Sequence, residues 1–269
     1  MVEVILDGGR VNVEEPTDVS IPLNFAGRQP NAYGVEPASS AACEYGELVG
    51  DTRRGGSCNF DRITLIPHCN GTHTECVGHI TNERISVRDC LREAFVAALL
   101  ISVTPCSPAD TAESYSIPYA ADDRLITFEL LEKAISAEAT DNKALIIRTM
   151  PNDDRKMTRS YDAENIPPFF TTEGVRYIVE RGFKHLLVDL PSIDRLFDHG
   201  KLSNHRIFWS VEPASFETRE NTRRENTITE LIYVPTVVED GAYLLNLQIA
   251  PFESDASPSR PILFKMKNS

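Results

Sequence analysis

The chain has 269 residues, 41% of them hydrophobic and 25% charged, with a formal net charge of -13. That length can bury a substantial core, and one domain over residues 1–269 is expected. The acidic balance argues against nucleic acid, whose binding rests on neutralising phosphates with Lys and Arg, and against an anionic membrane surface.

In chain order, residues 2–6 alternate around Val2, Val4 and Leu6, and residues 7–9 read as a turn. Residues 10–13 return as a strand, so the chain opens with a hairpin. Residues 18–23 are a short extended piece. The long stretch 24–61 is rich in Gly, Pro, Ser and Asn, and a loop of that length in a compact domain usually serves function. It is expected to form the wall of a pocket. A strand begins at 63–66, a short helix is expected over 86–94, and 96–103 reads as a buried strand. After a loop over 105–123, the spacing of Leu130, Leu131, Ala134 and Ile135 predicts a helix over 127–137. Residues 144–148 are a second buried strand, and 150–168 are irregular. Thr171 or Thr172 caps a helix that runs to Arg181, with Gly182 just past its end. Residues 185–189, 207–211, 228–234, 242–249 and 261–264 read as strands, and 213–226 as a charged, solvated loop. Helix and strand alternate in the middle, which gives an α/β chain with part of its sheet parallel.

No basic region followed by an apolar one opens the chain, so no signal peptide is expected. The longest apolar run, 94–101, is too short to span a bilayer. All six cysteines fall in the first 106 residues, none as a C-x-x-C pair. Reduced thiols and a cytoplasmic location are therefore expected.

The chemistry concentrates at 68–79, which holds His68, Cys69, His73, Glu75, Cys76 and His79. Taken as extended, residues 65–76 put 69, 71, 73 and 75 on one face. Cys69, His73 and Glu75 then surround Gly71, whose missing side chain leaves room for an ion, and His68 falls on the opposite face. A helix would group His68, Thr72, Glu75 and His79, but Asn70-Gly71-Thr72 disfavours one. The plain alternative is a polar strand end whose histidines satisfy local hydrogen bonds. His68, His185 and His199 read as structural or surface groups, and Cys43, Cys58, Cys76, Cys90 and Cys106 as inert thiols. Asp189 and Asp194 would fix the Pro191-Ser192 turn. Phe25, Tyr33, Phe169, Phe170 and Trp209 are core or pocket aromatics.

The segment resembles the cyclase-like metal-dependent hydrolases, the family of bacterial-type kynurenine formamidase, with its motif H-x-G-T-H-x-D-x-P-x-H. Gly71-Thr72-His73 and His79 match it. Asp18-Val19-Ser20-Ile21-Pro22-Leu23, the run Leu187 to Asp194, His205, Glu230 within Ile228-Thr229-Glu230-Leu231, residues 241–247 and 257–260 follow the family's order. The resemblance implies a swivelling β/β/α fold, with a mixed central sheet flanked by helices and one or two divalent ions, zinc or manganese. By position, Cys69, His73 and Glu75 would hold the first ion. Glu75 and Glu230 would bridge to a second bound by His205, and His79 would be the acid/base. Hydrolysis of a small linear or cyclic amide by an activated water is the implied reaction, in a homodimer or homotetramer. Three positions depart from the motif: Cys69 for histidine, Glu75 for aspartate and Val77 for proline. A thiolate suits zinc but makes it a weaker Lewis acid, and glutamate is one methylene longer. A relative that binds a small molecule or a metal without turnover is the alternative those departures suggest.

Overall fold

Residues 144–149 are apolar or β-branched at nearly every position, and such a strand needs cover on both faces. A computed structural model describing residues 3–6, 9–135 and 142–267 shows how it is covered. The main sheet has eleven strands. They are β1 (Glu3–Leu6), β2 (Gly9–Asn12), β3 (Thr17–Asp18), β4 (His73–Glu75), β5 (Phe95–Val103) and β6 (Ala144–Thr149). After these come β7 (His185–Val188), β8 (Thr227–Glu230), β9 (Gly241–Asn246), β10 (Ala256–Pro258) and β11 (Ile262–Lys267). Their spatial order is β1-β2-β11-β9-β5-β6-β7-β8-β4-β10, with β3 also on β11. Strands β5 to β8 are parallel neighbours. Strand β9 joins β5 antiparallel, β4 joins β8 antiparallel, and β10 joins β4 the same way.

The helices are α1 (Pro67–Asn70), α2 (Val87–Cys90), α3 (Phe128–Ala134), α4 (Thr172–Glu180) and α5 (Ser203–Trp209). Side chains of β6 and β7 alternate between two cores, as the pleat requires. Leu145, Ile147, Leu186 and Val188 pack with Leu131, Val175, Ile178, Phe208 and Trp209 from α3, α4 and α5. Ala144, Ile146 and Leu187 pack on the other face with Ile232, Val234, Leu245 and Leu263. Burial of each large aliphatic side chain contributes roughly 1.5–3 kcal/mol. The α4 cap is Thr171, whose Oγ1 accepts from Gly174 N at 3.0 Å. Among the described residues, no helix is long and apolar enough to cross a membrane.

Several expectations are corrected. Residues 67–70 form a helical turn, not part of an extended 65–76 segment. Residues expected as a strand over 207–211 belong largely to α5. Asn204, His205, Arg206, Phe208 and Trp209 are its buried residues, and the three polar members hid the apolar period. The helix expected over 86–94 contracts to α2, and β5 already begins at Phe95. The strand expected at 63–66 is Asp61–Thr64, which pairs with Ser39–Ala42 in a separate ribbon. Within the expected loop 24–61, Asn31–Ala32 pairs parallel with Ser160–Tyr161. Val2, the turn positions 7–8 and the last two positions of the expected helix, 136 and 137, lie outside the described residues.

Candidate active site

The geometry starts with one antiparallel pairing. Strand β4 lies beside β8 with Glu230 opposite His73 and Ile228 opposite Glu75. Residues two apart on a strand share a face, and directly paired residues share it across strands. His73, Glu75 and Glu230 are thereby gathered on the side that carries the helices. The intervening Thr74 and Thr229 face the other way and hydrogen-bond to each other at 2.8 Å. Thr72 fixes the entry to β4: its hydroxyl accepts from Ile21 N at 2.8 Å and donates to Leu231 O at 2.5 Å. The site lies beyond the C-terminal ends of the parallel strands, where open α/β sheets commonly bind ligands.

Helix α5 brings His205 over this face. Its Nε2 lies 3.0 Å from Glu75 Oε1 and 3.7 Å from Glu230 Oε1. Its Nδ1 donates to Asp194 Oδ2 at 2.6 Å, and Asp194 also accepts from Asn204 N and the Tyr115 hydroxyl. His73 Nδ1 donates to the carbonyl of Gly71 at 3.0 Å. A carbonyl only accepts, so Nδ1 carries the proton and Nε2 presents a lone pair. That Nε2 is 3.6 Å from Glu230 Oε2 and has no hydrogen-bond partner, and Glu75 Oε2 is likewise not hydrogen-bonded. His73, Glu75, His205 and Glu230 are all 0–3% exposed. Orphaned polar atoms at such depth are rare in folded proteins.

Electrostatics follow the same geometry. Burial opposes the charge on Glu75, but His79, His205 and the hydrogen bonds to it hold its carboxyl well below the usual range. Burial opposes the charge on His205 too, yet Glu75 and Asp194 hold its imidazole well above the usual histidine value. Burial, reinforced by Glu230, pushes the Cys69 thiol up to about 11, so it is a neutral thiol at pH 7.

The helical turn at α1 redistributes the sequence-predicted residues. Pro67 at its first position favours helical entry, and the Asn70 side chain accepts from Ile66 N at 2.6 Å. Successive side chains on a helix diverge by about 100°, not the 180° of a strand, so His68 and Cys69 both border one cavity. His68 Nδ1 is 3.0 Å from Glu75 Oε2, which overturns its assignment to the opposite face. The Cys69 sulfur belongs to no group, among the described residues, of three or more donors within 4.8 Å of one another. The groups that qualify are His68/His73/Glu75, Glu75/His205/Glu230 and His68/His79/Asp255. Gly71 does not open space toward them, because a Cβ there would meet Leu23 Cδ1 at 3.9 Å, on a separate cavity.

His79 enters from the short helical turn Val77–Ile80. Its ring stacks on His68 with centroids 4.2 Å apart, and its Nε2 is 3.9 Å from Glu75 Oε2. Asp255, which the sequence reading missed, lies between them, with Oδ2 2.8 Å from His68 Nε2 and 3.4 Å from His79 Nδ1. No local motif marks it. The cavity above these groups, about 610 Å³, is bordered by Tyr33, Ile66, Leu196 and Phe197. Tyr33 meets Phe197 edge to face at 5.8 Å. Of the five aromatics weighed from sequence, Tyr33 borders this cavity, whereas Phe169, Phe170 and Trp209 are fully buried core.

Fold and site together describe an α/β protein whose mixed sheet ends in a buried cluster of imidazoles and carboxylates. A family model described as putative cyclase matches residues 17–195, and the chain belongs to this Cyclase family. It is 24% identical over 259 residues to kynurenine formamidase of Bacillus cytotoxicus, covering 94% of this chain and 99% of that protein. To the Bacillus anthracis kynurenine formamidase it is 24% identical over 252 residues, with 91% and 95% covered. Among solved structures, isatin hydrolase A from Labrenzia aggregata bound to benzyl benzoate superposes with a TM-score of 0.61 at 15% identity, 94% of each chain covered. A structure described as a potential metal-dependent hydrolase with cyclase activity gives 0.58 at 16% identity, covering 93% of this chain and 98% of that one. These superpositions establish the shared fold.

Proposed function

We propose that this chain is a metal-dependent hydrolase of a small linear or cyclic amide, arylformamidase-like in its chemistry. The observation that carries the reading is the pair His73 Nε2 and Glu75 Oε2, neither of them hydrogen-bonded, buried beside His205 and Glu230 with His68 Nδ1 facing Glu75 Oε2 at 3.0 Å. Imidazole nitrogens and carboxylate oxygens in one buried cluster suit zinc or manganese, and an ion would satisfy both orphaned atoms. His73, Glu75, His205 and Glu230 would hold one or two such ions. When bound, a divalent ion supplies Lewis-acid polarisation of the amide carbonyl and acidifies water. The similarity to kynurenine formamidases and isatin hydrolases supports an amide substrate.

The chain's own groups then have separable tasks. The Tyr33, Ile66, Leu196 and Phe197 rim excludes water and accepts the apolar part of a substrate. Hydrolysis forms a bond from water oxygen to the carbonyl carbon and breaks the C–N bond. His79, about a quarter exposed at the cavity, takes the water proton and delivers it to the leaving nitrogen. Asp194 holds the His205 ring through Nδ1, as carboxylates do behind ligating histidines. Protein purified without chelator is expected to carry a divalent ion and to turn over N-formyl aromatic amines or cyclic amides in a panel. Absence of any divalent ion, with no uptake on titration, overturns the reading. If amide turnover appears only after Cys69→His with Glu75→Asp, the natural chain binds without hydrolysing.

A further inference from the structure

Four histidines ring the Glu75 carboxylate, His68, His73, His79 and His205, and in three of them the other ring nitrogen is hydrogen-bonded to an oxygen. His73 Nδ1 donates to Gly71 O at 3.0 Å and His205 Nδ1 to Asp194 Oδ2 at 2.6 Å. His68 Nε2 donates to Asp255 Oδ2 at 2.8 Å, and its Nδ1 faces Glu75 Oε2 at 3.0 Å. A ligating histidine characteristically hands its outer N–H to a carboxylate or carbonyl, which fixes the tautomer and aims the inner lone pair. His68 has this arrangement, and it forms a donor group with His73 and Glu75 within 4.8 Å. Cys69 has none of it. Among the described residues, its sulfur lies outside those groups.

We propose that His68, one residue before the position given by the family motif, completes the ligand set of the first ion with His73 and Glu75, and that Asp255 is the positioning residue behind it. The proposal rests on the reading of the site as a metal centre. Its structural cause is the turn at α1. There, the Pro67 start and the Asn70 side-chain bond to Ile66 N wind the chain, so that the residue a strand would turn away is carried into the cavity. His68 also stacks on His79, so the same imidazole would place the acid/base beside the first ion.

Cobalt(II) titration of the chelator-treated full-length protein tests this by absorption, independently of turnover. The expected result is cobalt binding without a sulfur-to-cobalt charge-transfer band. Cys69→Ser should leave the spectrum and the affinity unchanged. His68→Ala should weaken the first site by about a hundredfold or more, and Asp255→Asn by about ten- to a hundredfold. Circular dichroism checks that each variant is folded, and the spectrum of the natural protein decides even if His68→Ala is not. A charge-transfer band that Cys69→Ser abolishes would overturn the His68 assignment and leave the metal-hydrolase reading standing. So would a folded His68→Ala variant with unchanged affinity. No cobalt uptake at all would overturn both.

Discussion

Two ends of the same parallel strands each bury a histidine, and they treat it in opposite ways. At the N-terminal end, His185 opens β7 opposite Thr227, fully buried. Its Nδ1 meets Thr227 Oγ1 at 2.8 Å and its Nε2 has no hydrogen bond. Burial pushes its pKa down to about 4, with only Glu93, 3.7 Å away, pulling against it. At the C-terminal end, His205 is equally buried, but Glu75 and Asp194 overcome the desolvation and raise its pKa. An orphaned Nε2 occurs at both ends, on His185 and on His73. Depth alone therefore does not make a site. Convergence of carboxylates on the imidazole does: Glu75, Asp194 and Glu230 lie within 3.7 Å of His205, whereas Glu93 is the carboxylate near His185 among the described residues.

The largest effects should come from removing that convergence. Glu230→Gln keeps the shape and the acceptor for Ile193 N but removes a charge between His73 and His205, and kcat/KM on an amide substrate should fall by roughly a thousandfold or more. Metal analysis of the purified variant should show depleted occupancy. At the other end, His185→Asn should leave catalysis intact and change the acid limb of stability. The folded pKa of His185 lies below the unfolded 6.5, so stability is complete above about pH 6.5 and erodes as pH falls toward 4, where only the unfolded chain takes the proton. That loss is worth roughly 3 kcal/mol, and denaturant titrations at pH 7 and pH 4.5 should show a shallower fall in the variant. If His185→Asn instead abolished turnover, the contrast between the two ends would collapse.

Smaller effects separate the two faces at the site itself. Thr229→Val leaves the Thr74 hydroxyl buried without its partner and should cost about 1–3 kcal/mol in chemical denaturation, with metal affinity unchanged. Thr229 adjoins Glu230 in sequence, so an unchanged affinity would show that the face, not proximity, assigns function. The smallest effect is expected of Gly71→Ala. Its backbone is extended, and the added methyl meets Leu23 in ordinary contact, so stability should move by less than about 1 kcal/mol. A large loss of metal on that change would restore the glycine to the site.

Much of this was legible in sequence because the relevant signals are local. The apolar runs of β5 and β6 demand burial, and the Thr171 cap and Gly182 stop bracket α4. The motif residues His73 and Glu75 and the later His205 and Glu230 stood out by order. The cavity face of α1 did not, because one rule, alternation, was carried across a proline that ends its validity. Asp255 was illegible for a different reason: it meets His68 across 187 residues, and nothing in Glu253-Ser254-Asp255 distinguishes it from any acidic loop. Helix α5 was hidden by its own purpose. The buried His205 and Asn204 interrupt the apolar stripe that would have announced it.

The pairing of β4 with β8 also acts as a check on folding. A slip of one residue would turn Thr74 into the cavity and drive the polar side chains of His73 and Glu75 into the opposite, tightly packed face. On the metal-centre reading, only the correct alignment would let an ion bind. Cation binding would therefore reward one register over its neighbours, and metal supply would become a determinant of how faithfully this edge of the sheet assembles.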